Sequence, residues 1–388
     1  MRMMHISITK LKIVKMARLN PKFAAEIKKY GADDFNACFN CGNCTATCSL
    51  STENNSFPRE MVRYSALGME DEIASSLKPW LCYYCGECST DCPRKAYPGE
   101  LMMSLRRWLT AKYDWTGLSA ILYKSLTALI ISMVLVAAGV VAFSVTNSFD
   151  IEKIMHFGHY FEMYAIATVF AVILLPNIVR MWYFIIYKPF AKRTVGMTPE
   201  QRKEIPSLTK VLGGVEFKIY MTSLGEFFTH MFTQKRALGC DDNQTRWFAH
   251  FILVIGYLSL LFTTVFLDWF STESLFVIIL GYVVSAIVFT VTIFFVAGRI
   301  KKSKEVSRHS RPSDWMFVAW LFLMGITAFA VRVLIDTNLL ESNFWLYIVH
   351  FTILAQWALI IVPFGKWTHF LYRSFAIYFE KLLTPVKK

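Results

Sequence analysis

The chain has 388 residues, 55% hydrophobic and 16% aromatic, with only 18% charged and a formal net charge of +13. Soluble domains carry about a quarter charged residues, so this balance argues against an ordinary soluble enzyme and for a membrane protein of more than one domain. The basic residues cluster beside apolar spans rather than in a recognition motif, which argues against nucleic acid and makes the charge a topology signal and a docking surface for the membrane or an acidic partner.

In chain order, Met1 to Leu19 is basic with scattered apolar residues and has no continuous apolar stretch of the signal-peptide kind. The N-terminus is therefore expected on the cytoplasmic side. Asn20-Pro21-Lys22-Phe23 opens a predicted helix, with Pro21 in its first turn and Gly31 closing it. Two cysteine groups follow, Cys38-x2-Cys41-x2-Cys44-x3-Cys48 and Cys82-x2-Cys85-x2-Cys88-x3-Cys92-Pro93, separated by a predicted helical segment over Arg59 to Leu77. Three cysteines at this spacing let one loop wrap three irons of a cubane, and the fourth, on the following helix, reaches the neighbouring cluster. That pattern assigns Cys38, Cys41, Cys44 and Cys92 to one [4Fe–4S] cluster and Cys82, Cys85, Cys88 and Cys48 to the other. Four thiolates also suit zinc, but zinc ribbons present two separated CxxC pairs, whereas a complete ferredoxin run here occurs twice. Ser49 stands where a proline often follows the fourth cysteine, which removes no ligand. The ninth cysteine, Cys240, reads as an ordinary thiol in a loop.

Residues Gly99 to Tyr113 read as an amphipathic helix, with Leu101, Met102, Leu105, Trp108 and Leu109 on one side and Arg106, Arg107 and Lys112 near the other. Such a helix lies at the membrane surface or packs on the cluster domain. Six predicted spans then meet the length of about 20 apolar residues that a bilayer requires. They run over about 120–145, 154–187, 247–269, 274–298, 315–336 and 344–370. The connection after the second carries Lys188, Lys192, Arg193, Arg202, Lys203, Lys210, Lys218, Lys235, Arg236 and Arg246, and that after the fourth carries Arg299, Lys301, Lys302, Lys304, Arg308 and Arg311. The connections after the third and fifth contain no lysine or arginine. Positive charge marks the inner side, so both termini, both basic loops and the clusters are expected in the cytoplasm, against the inner membrane.

The histidines pair by depth. His250 and His369 lie near the inner ends of the third and sixth spans. His350 lies near the outer end of the sixth, where its partner is His156 or His159 at the start of the second; His159 matches its depth better. Haem b takes two axial ligands at one depth, and imidazole serves well. His369 follows His350 by nineteen positions, about 28 Å of helix at about 1.5 Å per residue, which suits one ligand to each of two haems. A histidine near a helix end is otherwise an interfacial residue. His5, His230 and His309 receive no role. Glu162, three residues after His159, is placed to accept a proton or to bond a neighbouring helix, Arg332 to meet an outer propionate or to snorkel, and Gln356 lies within a span.

From Asn20 through Phe39-Asn40-Cys41-Gly42-Asn43-Cys44 to Cys92-Pro93 the chain resembles the C subunit of heterodisulfide reductase. Trp247-Phe248-Ala249-His250 and Pro363-Phe364-Gly365-Lys366-Trp367-Thr368-His369 resemble the cytochrome b domain found in the E subunit of heterodisulfide reductase and in nitrate reductase gamma subunits. Fusion of the two halves is similar to the layout of the C subunit in the quinone-interacting membrane-bound oxidoreductase (Qmo) family. The resemblance implies a mainly α fold: a dicluster [4Fe–4S] ferredoxin-like domain over 1–117, then a six-helix transmembrane di-haem cytochrome b-like domain over 118–388. It also implies menaquinone or menaquinol as redox partner, flavin and iron–sulfur partner subunits, and, in the Qmo case, adenylylsulfate reductase in sulfate respiration. One departure is Leu260, where the nitrate reductase pattern has a second histidine ten residues after the first, so the outer haem must draw its partner from the second span or be absent.

The expected function is therefore electron transfer between quinol, haem b and two clusters, with substrate chemistry on partner subunits; no G-x-G-x-x-G fingerprint suggests a nucleotide site here. The competing expectation is a haem-free anchor that docks a cluster module. A transporter, which would need a polar pathway and repeats, ranks third.

Overall fold

A computed structural model describes residues 18–53, 55–192, 207–239, 244–265, 274–302 and 304–383. His5, Arg193, Arg202, Lys203, Cys240 and the expected outer end of the third span (266–269) lie outside these residues. The described chain is mainly helical, and no β-strand occurs within it. The long helices are numbered here α1 (Pro98–Tyr113), α2 (Leu126–Thr146), α3 (Ile151–Lys192), α4 (Phe217–Thr233), α5 (Gln244–Val265), α6 (Leu275–Lys301), α7 (Pro312–Asp336), α8 (Phe344–Gln356) and α9 (Thr368–Leu383).

Among the described residues five helical segments are long and apolar enough to cross a membrane: α2, α3, α6, α7 and the stretch Glu341–Leu383 that contains α8 and α9. The third expected span folds as α5. Leu129, Leu253, Val284, Leu321, Met324 and Ile353, drawn from α2, α5, α6, α7 and α8, form one buried cluster at the centre of this bundle. Between membrane helices the attraction comes from packing rather than from water exclusion, so close backbone approach matters. At Gly325 of α7, an added Cβ would stand 2.8 Å from the backbone nitrogen of Phe289 on α6. Gly325→Leu is expected to lower stability by about 1–3 kcal/mol through overpacking, read as a fall in thermal midpoint in detergent. Gly139→Leu, where nothing stands within 4 Å of the added Cβ, should leave that midpoint near the parent value.

The spans depart from straight helices at their prolines. Wide π-turns occupy Phe170–Leu174, Tyr183–Tyr187 and Trp357–Ile361, each ending two residues before Pro176, Pro189 or Pro363. Proline has no N–H to donate and its ring crowds the preceding turn, and a wider turn makes room for it. The sixth expected span is therefore not one continuous helix. After Pro363 the chain leaves helical geometry at Gly365 (ψ −164°), where a Cβ would stand 2.6 Å from the carbonyl oxygen of Ile361, and it re-enters at Thr368. The 28 Å helix expected between His350 and His369 is thus broken. The first expected span is likewise split: Leu118–Lys124 ends at Ser125, whose hydroxyl caps α2 by accepting from Ala128 N at 3.1 Å.

The cysteine-bearing segment packs directly on the helix ends. Phe23, Phe57, Trp80, Leu105 and Tyr113 share one buried cluster with Met181, Phe184, Tyr372, Ala376 and Phe379 of α3 and α9. Each such side chain removed from water contributes about 1.5–3 kcal/mol. Helix α1 runs through this core and is buried on nearly every side, Arg106 and Arg107 included. This corrects the amphipathic reading: α1 does not lie on a membrane surface, and its two arginines are not on a solvated face. Helix α4, inside the first basic connection, packs along α9, with Phe227 and Phe375 rings 4.9 Å apart and Glu226 meeting Lys381 at 3.5 Å.

Candidate iron–sulfur and haem site

The two cysteine loops repeat each other in backbone geometry. Cys38 and Cys82 are extended residues that end short helical turns (Phe35–Ala37 and Lys78–Leu81). Asn40 and Tyr84 then take left-handed φ of 64° and 57°, and Gly42 and Gly86 follow at 94° and 96°. Four-residue helices, Asn43–Ala46 and Glu87–Thr90, carry the chain away from each loop. The left-handed turns reverse the backbone so that amides face the sulfurs. The N–H groups of Asn40 and Tyr84 each donate to the sulfur two residues earlier at 3.4 Å, and Ala96 N donates to Cys92 Sγ at 3.3 Å. Amide donors of this kind stabilise thiolate charge and tune an iron–sulfur centre.

The fourth cysteine of each run crosses to the other loop. Cys48, Cys82, Cys85 and Cys88 line a single cavity together with Gly86 and Gly99; we refer to it as the proximal site. Burial, opposed in part by amide donors, pushes the Cys48 thiol up to about 11, with Cys82 and Cys85 adding to the rise. Burial also raises Cys88, with Cys82, Cys85 and Cys48 next. At the distal site, burial raises Cys44, and its thiol neighbours are Cys38, Cys41 and Cys92. Cys41 is exposed, whereas Cys82 and Cys88 are buried. Buried thiols that disfavour one another's ionisation form a donor set that bound cations complete. Among the described residues no three His, Cys, Asp or Glu side chains converge closely enough for a single metal ion.

A buried charge network joins the proximal site to the membrane helices. Tyr84 donates its hydroxyl to Glu100 at 3.1 Å, and Arg107 donates to Glu100 at 3.2 Å, to the Tyr30 carbonyl at 2.8 Å and to Asp314 of α7 at 2.7 Å. Asp314 also accepts from Lys366, in the break before α9, at 2.7 Å. Burial raises the Glu100 carboxyl, against the pull of Arg107. Beside this network a cavity is lined by Trp80, Met103, Arg106, Asp314, Lys366 and His369, among others. Trp80 also packs on Tyr372 of α9, with ring centroids 5.2 Å apart.

His369 therefore faces the cavity under the proximal site. Its Nδ1 lies in a short contact with the Lys366 carbonyl, which directs Nε2 away from that partner. His250 of α5 lies within electrostatic reach of His369, and its Nδ1 is buried with no hydrogen-bond partner. The two inner histidines are thus brought together. His350 pairs its Nδ1 with the Thr327 hydroxyl of α7 at 2.8 Å. Helices α3 and α8 meet at Gly158, against the hydroxyl of Tyr347 and the ring of Phe351. On α3, His156 is exposed and lies 4.7 Å from the Tyr160 ring, and His159 lies 5.2 Å from it. Glu162 is within electrostatic reach of Tyr347. Arg332 pairs with Asp336 one turn on, and Gln356 bridges Trp320 and the Met133 carbonyl at 2.9 Å each. The histidines left without a role meet carboxylates: His230 meets Glu226 at 3.0 Å and His309 meets Glu305 at 3.2 Å. Sequence reasoning missed Asp314 and Lys366, whose only signal was a charge at each of two span ends.

Residues 37–97 match the 4Fe–4S dicluster domain family. The chain is 31% identical over 96 residues to a protein of Archaeoglobus profundus that is like the C subunit of heterodisulfide reductase, covering 24% of this chain and 51% of that one. It is 34% identical over 83 residues to the C subunit of the H2:CoB–CoM heterodisulfide, ferredoxin reductase of Methanothermobacter thermautotrophicus, covering 21% and 45%. To the iron–sulfur C subunit of the CoB–CoM heterodisulfide reductase of Methanopyrus kandleri it is 30% identical, covering 21% and 47%. The chain thus spans about half the length of these curated relatives. No solved structure gives a significant match.

Proposed function

We propose that this chain is a membrane electron-transfer component of an oxidoreductase complex, linking a quinol to soluble partner subunits through haem b and two [4Fe–4S] clusters. The observation that carries the reading is the link from the Cys82 turn to His369 through Trp80, which stands two residues before Cys82, packs on Tyr372 and lines the cavity that His369 also lines. Cys48, Cys82, Cys85 and Cys88 would hold the proximal cluster and Cys38, Cys41, Cys44 and Cys92 the distal one. The clusters and haem supply one-electron transfer when bound. The chain's own contribution is to hold thiolates under amide donors, to fix the His350 and His369 imidazoles by their Nδ1 contacts and to keep water from the joint between the two regions. His250 with His369 would hold the inner haem, and His350 with His159 or His156 the outer one. His250's orphaned Nδ1 and the tethered Nδ1 of His369 fit imidazoles arranged toward a group between them.

The basic connections support a location of the cysteines on the cytoplasmic face of the inner membrane. Exposed Cys41 makes the distal site the point of exchange with flavin and iron–sulfur partner subunits. The similarity to heterodisulfide reductase components supports partners of that kind, and the Qmo-like layout extends them to adenylylsulfate reductase, with menaquinol at the membrane end. The buried network through Asp314 also suits a second reading, a haem-free anchor that docks the cluster module. A reduced-minus-oxidised visible spectrum of the purified chain separates the two. Two haems b per polypeptide are expected, one of them lost in His369→Leu and in His250→Leu. No haem in a preparation with intact clusters would overturn the transmembrane wire and leave the anchor.

A further inference from the structure

Three arginines from three different helices converge on the loop Cys82-Tyr83-Tyr84-Cys85. Arg106 of α1 donates from Nε to the Pro79 carbonyl at 2.6 Å and from Nη2 to the Cys82 carbonyl. Arg246, in the first turn of α5, donates from Nη1 to the Tyr84 carbonyl at 3.4 Å. Arg373, one turn beyond His369 on α9, holds its guanidinium 5.9 Å from the centre of the Tyr83 ring. Arg106 and Arg373 both lie within electrostatic reach of Cys82. At the distal loop stands Arg59, beside Gly42 and carried by the cysteine segment itself. Two of the cations around the proximal loop, Arg246 and Arg373, come instead from the membrane helices.

Resting on the iron–sulfur reading above, we propose that Arg106, Arg246 and Arg373 are positioning residues that raise the reduction potential of the proximal cluster, so that the membrane helices set it. A cubane with four thiolates is net negative, and accepting one electron adds one more negative charge. Burial of Cys82 and Cys88 works against that added charge, because low-dielectric surroundings penalise it. Cations held close in the same surroundings favour the reduced form over the oxidised one, and their effect is larger there than at an exposed site. The distal cluster, with Cys41 in water, needs less of this help because solvent and salt screen its charge. Three cations at one loop thus offset what burial takes away. Two of them are present only when the cysteine segment sits on its helices.

The test is a redox titration of the full-length chain followed by EPR, the proximal signal being the one lost in Cys85→Ala. Arg373→Gln is expected to lower the proximal midpoint and leave the distal one in place, and Arg373→Lys should retain most of the parent value. Arg246→Gln should shift the same midpoint in the same direction, and it decides the matter if Arg373→Gln fails to assemble. Equal movement of both midpoints, or none in either variant with both signals at full intensity, would overturn the proposal. Absence of two [4Fe–4S] signals from the parent chain would instead defeat the iron–sulfur reading on which it rests.

Discussion

Cys48→Ala is expected to abolish the cluster signal that Cys85→Ala also abolishes, although Cys48 belongs by sequence to the other run. Each single variant should lower non-haem iron from about eight to about four atoms per chain, since each cubane holds four. The double variants are decisive. Cys48→Ala with Cys85→Ala should lose no more iron than either alone, because both remove ligands from one site. Cys48→Ala with Cys41→Ala should lose nearly all of it. Cys92→Ala should pair with Cys41→Ala in the same way. The structural ground is the cavity shared by Cys48, Cys82, Cys85 and Cys88, and the company Cys44 keeps with Cys38, Cys41 and Cys92. Grouping of Cys48 with Cys41 in these measurements would reverse the ligand sets.

Asp314→Ala is expected to be the most damaging substitution away from the cysteines. Its side chain is 6% exposed, and its carboxylate takes Arg107 and Lys366 at 2.7 Å each, with Arg311 N at 3.0 Å. Removing it takes the carboxylate from Lys366 and leaves Arg107 with Glu100 alone. Breaking a buried pair from one side costs about 3–5 kcal/mol, because the orphaned charge cannot regain its hydration. The expected readout is a lower thermal midpoint and faster proteolytic release of the cysteine segment from the membrane part. Replacing the whole set, Glu100→Leu with Arg107→Met, Asp314→Leu and Lys366→Met, should recover much of the loss, since apolar groups of similar volume need no partner. If Asp314→Ala behaves like the parent, the network is not what fastens the two parts.

The cysteine spacing was legible because a ferredoxin run is a local pattern: three thiols, two left-handed turns and a short helix all lie within about a dozen residues. The apolar spans were legible because bilayer thickness imposes a length on composition. What escaped was set by contacts distant in sequence. Arg107 sits at a helix position that looks solvated until the chain returns, some two hundred residues later, with Asp314, and Arg106 at one that the Pro79 and Cys82 carbonyls occupy. Helix α4 was read as a basic connection although Phe217, Met221, Leu224 and Phe228 recur at helical spacing, because the flanking lysines dominated the reading. The interrupted sixth span was visible in Pro363 and Gly365, yet hydropathy averages over such breaks. Depth matched His250 to His369, which lie within electrostatic reach of each other; depth offered His350 two partners on α3, and its Nδ1 bond to Thr327 was not visible in the sequence.

The common core of cysteine segment and helix ends has a kinetic consequence. A redox domain on a flexible tether carries electrons by swinging between donor and acceptor, so its turnover follows linker length and solvent viscosity. Here Trp80, Tyr113, Phe184 and Tyr372 interlock across the joint, and the segment has no freedom to travel. On the proposed reading electrons cross fixed gaps, and whatever exchanges them with the chain comes to the distal face. Transit within the chain should then be indifferent to viscosity, and only the encounter with the soluble partner should slow as the medium thickens.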